Sequence, residues 1–505
     1  MRRSVLGVLA ATGAAAAILI AAGGASSASR APSAVGTPPH IIGPTVASVT
    51  KAGATQEPCV FSDPTYFDPP LACYGPYELG KAYNFPSNLN GRGQTIVIID
   101  AYGSPDIQQD LATFDSYYSI PAPPSFTVIN ARGTGATDGS GDLPDWAGET
   151  TLDVEYAHAM APGAKIVLGV AASDDNNDIN AAEAQVLPRY PGAIVSQSFG
   201  EDENAPGTTQ SNLAAHLIYV GATVMGDSIL ASAGDYGASD GDTPPVPVAS
   251  FPASDPLVLA VGGTEGNPYN LDPSAGLIGG IGLYQNGHYG GEQVWNELDC
   301  CGVPVATGGA PSVIFPRPPW QNGFTSSKGR VVPDVSYNSA VLGGVNTVIS
   351  CYTPDYPDSC NPADAFFSLV GGTSAGSPQW ASIIAIANQA RGMRGERGLG
   401  LVAPALYAIA KNSHNYSRDF HDITVGNNAL GSGNGPFDPS QGFAATGGFD
   451  DASGLGTPNV SNLVSDLVGQ SSFGNPGLGN PIGFEHNSKP DRWHQRYPHT
   501  AEPGS

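Results

Sequence analysis

Short apolar runs alternate along the chain with longer stretches in which apolar residues recur every three or four positions. The run 95–99 is almost entirely apolar, and Ile107, Leu111, Phe114 and Tyr118 follow at the spacing of one helix face. The pattern predicts a buried strand followed by a helix that packs against it.

The same strand and helix pattern recurs further along the chain. It predicts helices over 149–160, 179–187 and 213–220, and strands over 165–170, 193–196 and 228–232. Repeated units of this kind predict an α/β fold with a doubly wound, mostly parallel sheet and helices on both faces. Ligands of such sheets bind at the carboxyl ends of the strands, so a functional site is expected there.

The two ends of the chain differ from this pattern. In residues 1–28, two arginines precede an apolar stretch and small residues follow, which is typical of a secretory signal peptide. A membrane anchor is the alternative, but the Ala and Gly content of the stretch disfavours it. The composition predicts a linker or short wrapping segment over residues 29–72, a folded domain over 73–468 and a flexible tail over 469–505.

The composition narrows the classes of partner. Hydrophobic residues make up 41% of the 505 residues and charged residues only 13%, so the chain has enough apolar surface for a large core. The formal net charge of −25 repels phosphate backbones and anionic lipid surfaces. We therefore expect no nucleic acid partner and no stable membrane association.

Six cysteines in an exported chain predict up to three disulfides. None of them has the CxxC spacing that indicates a zinc or redox site. Short intervening loops favour two pairs and leave two adjacent cysteines unassigned: Cys59 with Cys73, Cys351 with Cys360, and Cys300 and Cys301.

A candidate nucleophile lies in the segment 372–378, which reads Gly-Thr-Ser-Ala-Gly-Ser-Pro. Apolar residues 366–370 precede it and a second apolar stretch, 380–388, predicts a buried helix, so Ser374 is placed at a helix N-terminus. The N–H groups and the dipole of that terminus stabilise negative charge beside the hydroxyl. In an isolated Gly-Thr-Ser the serine is more often only an N-cap.

Candidate acid and base groups lie in two other segments. Glu149 and Asp153 are separated by about 40° around a helix and share a face, whereas His158 lies about 180° from Glu149 and is expected to be a packed structural residue. Taken alone, two like charges four residues apart predict a solvated face. Asp235 follows the predicted strand 228–232 in a Gly-Asp sequence, which alone is typical of a turn.

Together and in this order, these motifs resemble the sedolisin family, the serine-carboxyl peptidases of the subtilisin-like fold clan. The similarity runs over 74–467. The resemblance implies that Ser374 is the nucleophile, Glu149 the general base, Asp153 the residue that orients and buffers Glu149, and Asp235 the acid of the oxyanion hole.

The chemistry of these groups indicates activity at acidic pH. Carboxylates, with a usual pKa of about 4, remain partly ionised where a histidine is already protonated, and Asp235 has to be protonated to donate to an oxyanion. We therefore expect a secreted, extracellular, monomeric acid endopeptidase that acts on polypeptide substrates. The alternatives are a tripeptidyl aminopeptidase and a catalytically silent binding or cell-surface protein on the same scaffold.

The segment 196–200, Ser-Gln-Ser-Phe-Gly, resembles the strand that borders the family's peptide cleft. The resemblance implies that Ser198, Phe199 and Gly200 bind substrate. Phe199 stands where relatives have tryptophan, so a proton network through an indole N–H has no counterpart here. Asp100, after the first predicted strand, is a further candidate at the border of the site.

Two C-terminal segments, 419–426 and 446–456, resemble the loops with which the family binds one calcium ion. Hard oxygen ligands on Gly-rich turns suit Ca²⁺, and an ordinary acidic turn is the alternative. The ligands that the resemblance implies are two carboxylates and three backbone carbonyls: Asp422, Asp450, Ile423, Thr446 and Gly448.

Overall fold

The structure is a computed structural model. It describes residues 60–61, 71–131, 143–241, 246–266, 284–285, 288–298, 304–353, 356–361, 365–433, 435 and 437–471. The predicted signal peptide, most of the predicted linker and the predicted tail beyond residue 471 lie outside these residues, as do Cys59, Cys300 and Cys301.

An eight-stranded sheet forms the centre of the fold. Its strands are β1 (Thr95–Ala101), β2 (Phe126–Asn130), β3 (Lys165–Ala171), β4 (Ile194–Gln197), β5 (Ser228–Ser232), β6 (Val258–Gly266), β7 (Glu292–Val294) and β8 (Val335–Asn338). The order is β7-β6-β5-β4-β1-β3-β2, and β8 also pairs with β6. Every pairing is parallel except that of β6 with β7, so the predicted mostly parallel sheet is confirmed.

The helices of the described residues pack around this sheet. They are α1 (Pro76–Ala82), α2 (Ile107–Tyr118), α3 (Leu143–Met160), α4 (Asn176–Val186), α5 (Thr209–Met225), α6 (Gly376–Gly392), α7 (Ala403–Ala410), α8 (Ser413–Asp419) and α9 (Val460–Leu467). Single 3-10 turns lie at Leu187–Arg189, Gly237–Ser239, Pro319–Gln321 and Thr373–Ala375. No described helix has both the length and the hydropathy to cross a bilayer.

The strands are apolar throughout because both faces of the sheet are covered. In β1, Ile96 and Ile98 pack with α2, α3 and α6, whereas Val97 and Ile99 pack with α4 and α5 on the other face. Helices on both faces are what the repeated strand and helix pattern predicts.

Most predicted elements lie where the pattern places them, with shifts at their ends. Strand β1 extends two residues beyond the predicted 95–99, so Asp100 lies within it. Helix α5 extends well beyond the predicted 213–220 and is capped after Met225 by Gly226, whose positive φ of 92° suits glycine. Helix boundaries are set by such caps more than by apolar spacing, which explains the differences.

Short antiparallel pairs of the described residues lie outside the central sheet. They are Val60–Phe61 with Leu71–Ala72, Glu201–Asp202 with Ser250–Phe251, Tyr284–Gln285 with His288–Tyr289, Asn296–Glu297 with Val305–Ala306, Pro311–Pro316 with Gly329–Val331, Val345–Ile349 with Phe366–Val370, Cys351–Thr353 with Tyr356–Cys360, and Phe420–His421 with Thr457–Pro458. The predicted disulfide between Cys351 and Cys360 is formed. Cys73 is also disulfide-bonded.

Candidate active site

Glu149 and Asp153 lie one turn apart on α3 and are buried. They are only 1% and 0% exposed, so the solvated face that the charge pair alone predicts is wrong. Every residue from 146 to 158 is buried, because α3 packs against both α6 and the turn Thr373–Ala375. Two carboxyl groups held in such a place are candidates for chemistry.

Ser374 lies in the 3-10 turn Thr373–Ala375, immediately before α6, as the sequence predicts. The chain reaches this turn from the strand Phe366–Val370 through two glycines. A Cβ on Gly371 would lie 2.5 Å from the carbonyl oxygen of Ala340, and Gly372 has a φ of 101°. Both positions therefore require glycine, which lets the serine enter the buried site.

The Ser374 hydroxyl is adjacent to the Glu149 carboxyl. Burial raises the pKa of Glu149 well above its usual value, the charges of Asp153 and Asp100 raise it further, and the nearby Ser374 hydroxyl opposes the shift. Neither carboxyl oxygen of Glu149 has an aligned hydrogen-bond partner among the described residues. The Ser374 contact is thus close enough to act on the pKa but is not a full hydrogen bond, and catalytic contacts are often this loose without substrate.

Asp153 is held by Ser198, the residue that directly follows strand β4. The Ser198 hydroxyl donates to Asp153 Oδ1 at 2.8 Å, and its oxygen lies 3.4 Å from the Ser374 carbonyl oxygen. Burial raises the pKa of Asp153 well above its usual value, the charge of Asp100 adds to the rise, and the Ser198 hydrogen bond opposes it.

Asp100 belongs to this carboxyl cluster and not merely to its border. Its side chain is fully buried at the end of β1, and burial raises its pKa to about 7. Its charge raises the pKa of both Glu149 and Asp153. Within the described part of the chain, neither oxygen of Asp100 has a hydrogen bond of good geometry, although the nearby Thr150 hydroxyl lowers its pKa. Its place at the carboxyl end of the first strand was the only signal in the sequence.

Asp235 follows β5 and lies against the residue before the candidate nucleophile. Its Oδ1 accepts hydrogen bonds from the Thr373 N–H and from the Thr373 hydroxyl, both at 2.7 Å. Burial raises the pKa of Asp235 to about 6, and both Thr373 hydrogen bonds oppose that rise. The charge of Asp235 also acts on Glu149. The sequence gives no signal for this contact because Thr373 and Asp235 are distant along the chain.

Strand order brings these groups together. Strands β5, β4 and β1 are parallel neighbours, so their carboxyl ends meet at one edge of the sheet. Asp235, Ser198 and Asp100 lie at these three ends, while α3 and the turn before α6 supply Glu149, Asp153 and Ser374.

The side chains expected to bind substrate point elsewhere. Ser198 is fully buried and donates to Asp153. The Phe199 ring is 4% exposed and lies 6.4 Å, between centroids, from the Trp146 ring. A Cβ on Gly200 would lie 2.4 Å from Ser250 Oγ. A peptide bound along this segment would therefore meet its backbone, and its role in binding stays a prediction.

His158 is directed away from these carboxyls. Its Nε2 lies 3.2 Å from Asp115 Oδ1 and 3.1 Å from the Pro121 carbonyl oxygen, and the ring is fully buried. The structure thus agrees with a packing role for this histidine.

The predicted calcium ligands lie on two loops that meet. Both carboxyl oxygens of Asp422 accept from the Gly448 N–H at 3.0 Å, and Asp450 Oδ2 accepts from the Thr446 N–H at 2.7 Å. In the described residues, no donor reaches the carbonyl oxygens of Ile423, Thr446 or Gly448. Two carboxylates and three available carbonyls are a donor set that fits Ca²⁺.

No protein-family model matches the chain, but individual proteins do. It is 33% identical over 414 residues to kumamolisin of Bacillus sp. (strain MN-32). The aligned region covers 80% of this chain and 65% of kumamolisin. It is 28% identical over 328 residues to tripeptidyl-peptidase 1 of Dictyostelium discoideum. That aligned region covers 63% of this chain and 46% of the tripeptidyl-peptidase. A solved structure of Pseudomonas sedolisin, a serine-carboxyl proteinase complexed with pseudo-iodotyrostatin, matches with a TM-score of 0.63 and 25% identity, covering 78% of this chain and 97% of that one. The chain spans less than two thirds of the length of both curated relatives.

Proposed function

Because this chain belongs to the sedolisin family of serine-carboxyl peptidases, we propose that it is an acid-active endopeptidase that forms an acyl-enzyme on Ser374. One observation carries the proposal: a serine at the start of a long buried helix is adjacent to a buried carboxyl, with three more carboxyls around them. The N-terminal pattern typical of a signal peptide supports secretion as part of the same proposal.

The reaction begins with proton transfer from Ser374 to Glu149. The Ser374 oxygen attacks the carbonyl carbon of the scissile peptide bond, and its proton passes to the Glu149 carboxylate. The electron pair of the carbonyl moves to the oxygen, which accepts a hydrogen bond from protonated Asp235. Glu149 then gives the proton to the leaving amine as the carbon–nitrogen bond breaks. Water repeats the sequence on the acyl-enzyme and releases the acid product.

The cluster supplies a base although burial favours protonated carboxyls. Glu149, Asp153 and Asp100 repel one another when ionised. Loss of one proton therefore suppresses the loss of the next, and a singly ionised cluster spans a wide pH range. In that state Glu149 can carry the charge next to Ser374 while Asp153 keeps its proton.

The pH dependence follows from opposite requirements. The base needs one ionised carboxyl, so activity falls when the whole cluster is protonated at low pH. The oxyanion donor needs protonated Asp235, whose pKa is about 6, so activity falls as pH rises through about that value. The two limits make the pH profile bell-shaped, with its high-pH limb set by Asp235.

One calcium ion belongs to the proposal as a structural element. Asp422 and Asp450 would hold it through their carboxylates, and Ile423, Thr446 and Gly448 through their carbonyls. A cation at this place would neutralise two neighbouring carboxylates and tie the two loops together.

The similarity to a tripeptidyl-peptidase favours a second candidate, the release of tripeptides from free N-termini. The two activities differ in their products. An endopeptidase releases internal fragments of varied length from a protein with a blocked N-terminus, whereas a tripeptidyl-peptidase releases only successive tripeptides and requires a free amine.

The test is hydrolysis of an unfolded, N-terminally blocked protein by the full chain between pH 3 and 7, with the products sequenced. We expect Ser374→Ala to lower turnover by roughly a thousandfold or more. Ser465 is an exposed serine on α9, and the control variant Ser465→Ala should leave turnover unchanged. Equal turnover by wild type and Ser374→Ala would remove the assignment.

A further inference from the structure

Thr373, the residue before the candidate nucleophile, places two donors on one oxygen of Asp235. Its N–H and its hydroxyl both donate to Asp235 Oδ1 at 2.7 Å. Asp235 Oδ2 is buried and has no hydrogen-bond partner among the residues that the structure describes. The two carboxyl oxygens of Asp235 are therefore in unlike surroundings.

We infer that Thr373 is a positioning residue that keeps the proton of Asp235 on Oδ2, where it can be donated to the oxyanion. The inference rests on the proposed function, because it specifies how the acid of the oxyanion hole is prepared. An oxygen that accepts two hydrogen bonds is a poor site for a proton, so the proton is left to the other oxygen.

The backbone N–H of Thr373 makes this arrangement stable. A hydroxyl can rotate to become an acceptor, but an amide N–H cannot. The amide is fixed by the turn Thr373–Ala375, which follows Gly372 with its φ of 101°. A proton on Oδ1 would face this N–H at 2.7 Å, whereas a proton on Oδ2 meets no such donor.

The hydroxyl of Thr373 is held from its other side by Gly234. The Gly234 N–H donates to Thr373 Oγ1 at 3.2 Å, and the Gly234 carbonyl oxygen also lies 3.2 Å from Oγ1. The single hydroxyl proton goes to the shorter contact, Asp235 Oδ1 at 2.7 Å. Gly234 can bring both groups to Oγ1 because its φ of 107° is accessible to glycine.

Two carboxyl groups of the described residues lie near Asp235. Glu149 approaches it from α3, and Asp240 lies beside Gly234 on the same loop as Asp235. Burial is the main cause of the raised pKa of Asp235, and the two Thr373 hydrogen bonds are what lowers it. Removing the hydroxyl donor withdraws stabilisation from the carboxylate, so Asp235 should stay protonated to higher pH.

The test is the pH profile of kcat/KM for the full chain and Thr373→Val, which keeps the side-chain shape but lacks the hydroxyl. We expect the high-pH limb to move upward by about one pH unit, and Thr373→Ser to restore the wild-type limb. Thr223→Val on α5, which removes a buried hydroxyl without a partner among the described residues, should leave the profile unchanged.

Each other result overturns the inference. A downward shift would mean that Asp235 donates from Oδ1 to Thr373, and an unchanged limb would mean that Thr373 does not act on Asp235. If circular dichroism shows that Thr373→Val does not fold, Thr373→Ala tests the same shift of the high-pH limb. A wild-type chain without peptidase activity would instead refute the proposed function.

Discussion

The Ser198 hydroxyl links Asp153 to the segment that carries Ser374. It donates to Asp153 Oδ1 at 2.8 Å and lies 3.4 Å from the Ser374 carbonyl oxygen. A buried hydroxyl with one short acceptor fixes the rotamer of that acceptor. The orientation of Asp153 relative to Glu149 therefore depends on the residue that directly follows β4.

Ser198→Ala is expected to lower kcat by about tenfold with little change in KM, because it frees Asp153 without removing a side chain that meets substrate. Steady-state kinetics at acidic pH would measure this. The matched control is Ser196→Ala, two residues earlier and within β4, where the serine hydroxyl pairs with that of Ser377. If KM rises and kcat is retained, Ser198 contacts the peptide directly, as the family resemblance implies.

Glu183 on α4, which accepts a hydrogen bond from Tyr219 of α5, leads us to expect a fold that is more stable in acid. Burial raises its pKa to about 8, the Tyr219 hydrogen bond opposes the shift and the charge of Asp255 adds to it. The folded state thus holds a proton that the unfolded chain loses near pH 4, so this contribution to stability is lost as pH rises from about 4 to about 8.

Glu183→Gln should remove this contribution to the pH dependence. We expect the variant to be more stable than wild type by roughly 1–3 kcal/mol at pH 8 and no more stable at pH 4, as measured by denaturant unfolding. Asp438→Asn changes an exposed carboxyl whose pKa is lowered by its Ser440 hydrogen bonds, and it should give no gain at pH 8. A gain for Glu183→Gln that is equal at both pH values would contradict the explanation.

The disulfide between Cys351 and Cys360 closes a loop with a sequence separation of 9. Its hairpin continues the strands Val345–Ile349 and Phe366–Val370, and the second of these leads to Ser374. Cys351→Ser/Cys360→Ser should lower the free energy of unfolding by about 2–3 kcal/mol. Thermal melts of both proteins without reductant would measure the loss. With reductant the two melts should coincide, and a persistent gap would point to packing of the sulfur atoms instead.

Chelation is expected to lower the melting temperature if calcium binds between the two C-terminal loops. The loss should be reversed by excess Ca²⁺, because binding to the folded state alone stabilises it. Asp422→Asn, which removes one carboxylate ligand, should melt at the same temperature with and without chelator. An unchanged wild-type melt after proven removal of metal would contradict the calcium proposal.

The fold could be predicted because its strands carry their signal locally. A strand covered on both faces, such as β1 or β5, is a continuous apolar run, and a helix between two such runs indicates parallel pairing. The local pattern of charges gave a wrong prediction for α3. It predicts a solvated face for Glu149 and Asp153, whereas the helix is buried on all sides over 146–158.

The contacts of the site were harder to predict from the sequence because they join distant segments of the chain. The resemblance indicated the roles of Ser374 and Asp235, but the hydrogen bonds of Thr373 to Asp235 and of Ser198 to Asp153 depend on which strands are neighbours. No single segment of the sequence specifies the order of the strands. Asp100 could therefore be predicted only as a border residue, and Thr373 could not be predicted.

The order β5-β4-β1 assembles the reaction centre from parts of the chain that are synthesised far apart. Ser198 is 45 residues from Asp153 and 176 residues from Ser374. A growing or half-folded chain has neither an activated serine nor its acid partners in place. Under the proposed function, such a chain would be protected from autolysis by its own topology until the turn Thr373–Ala375 and helix α6 have docked.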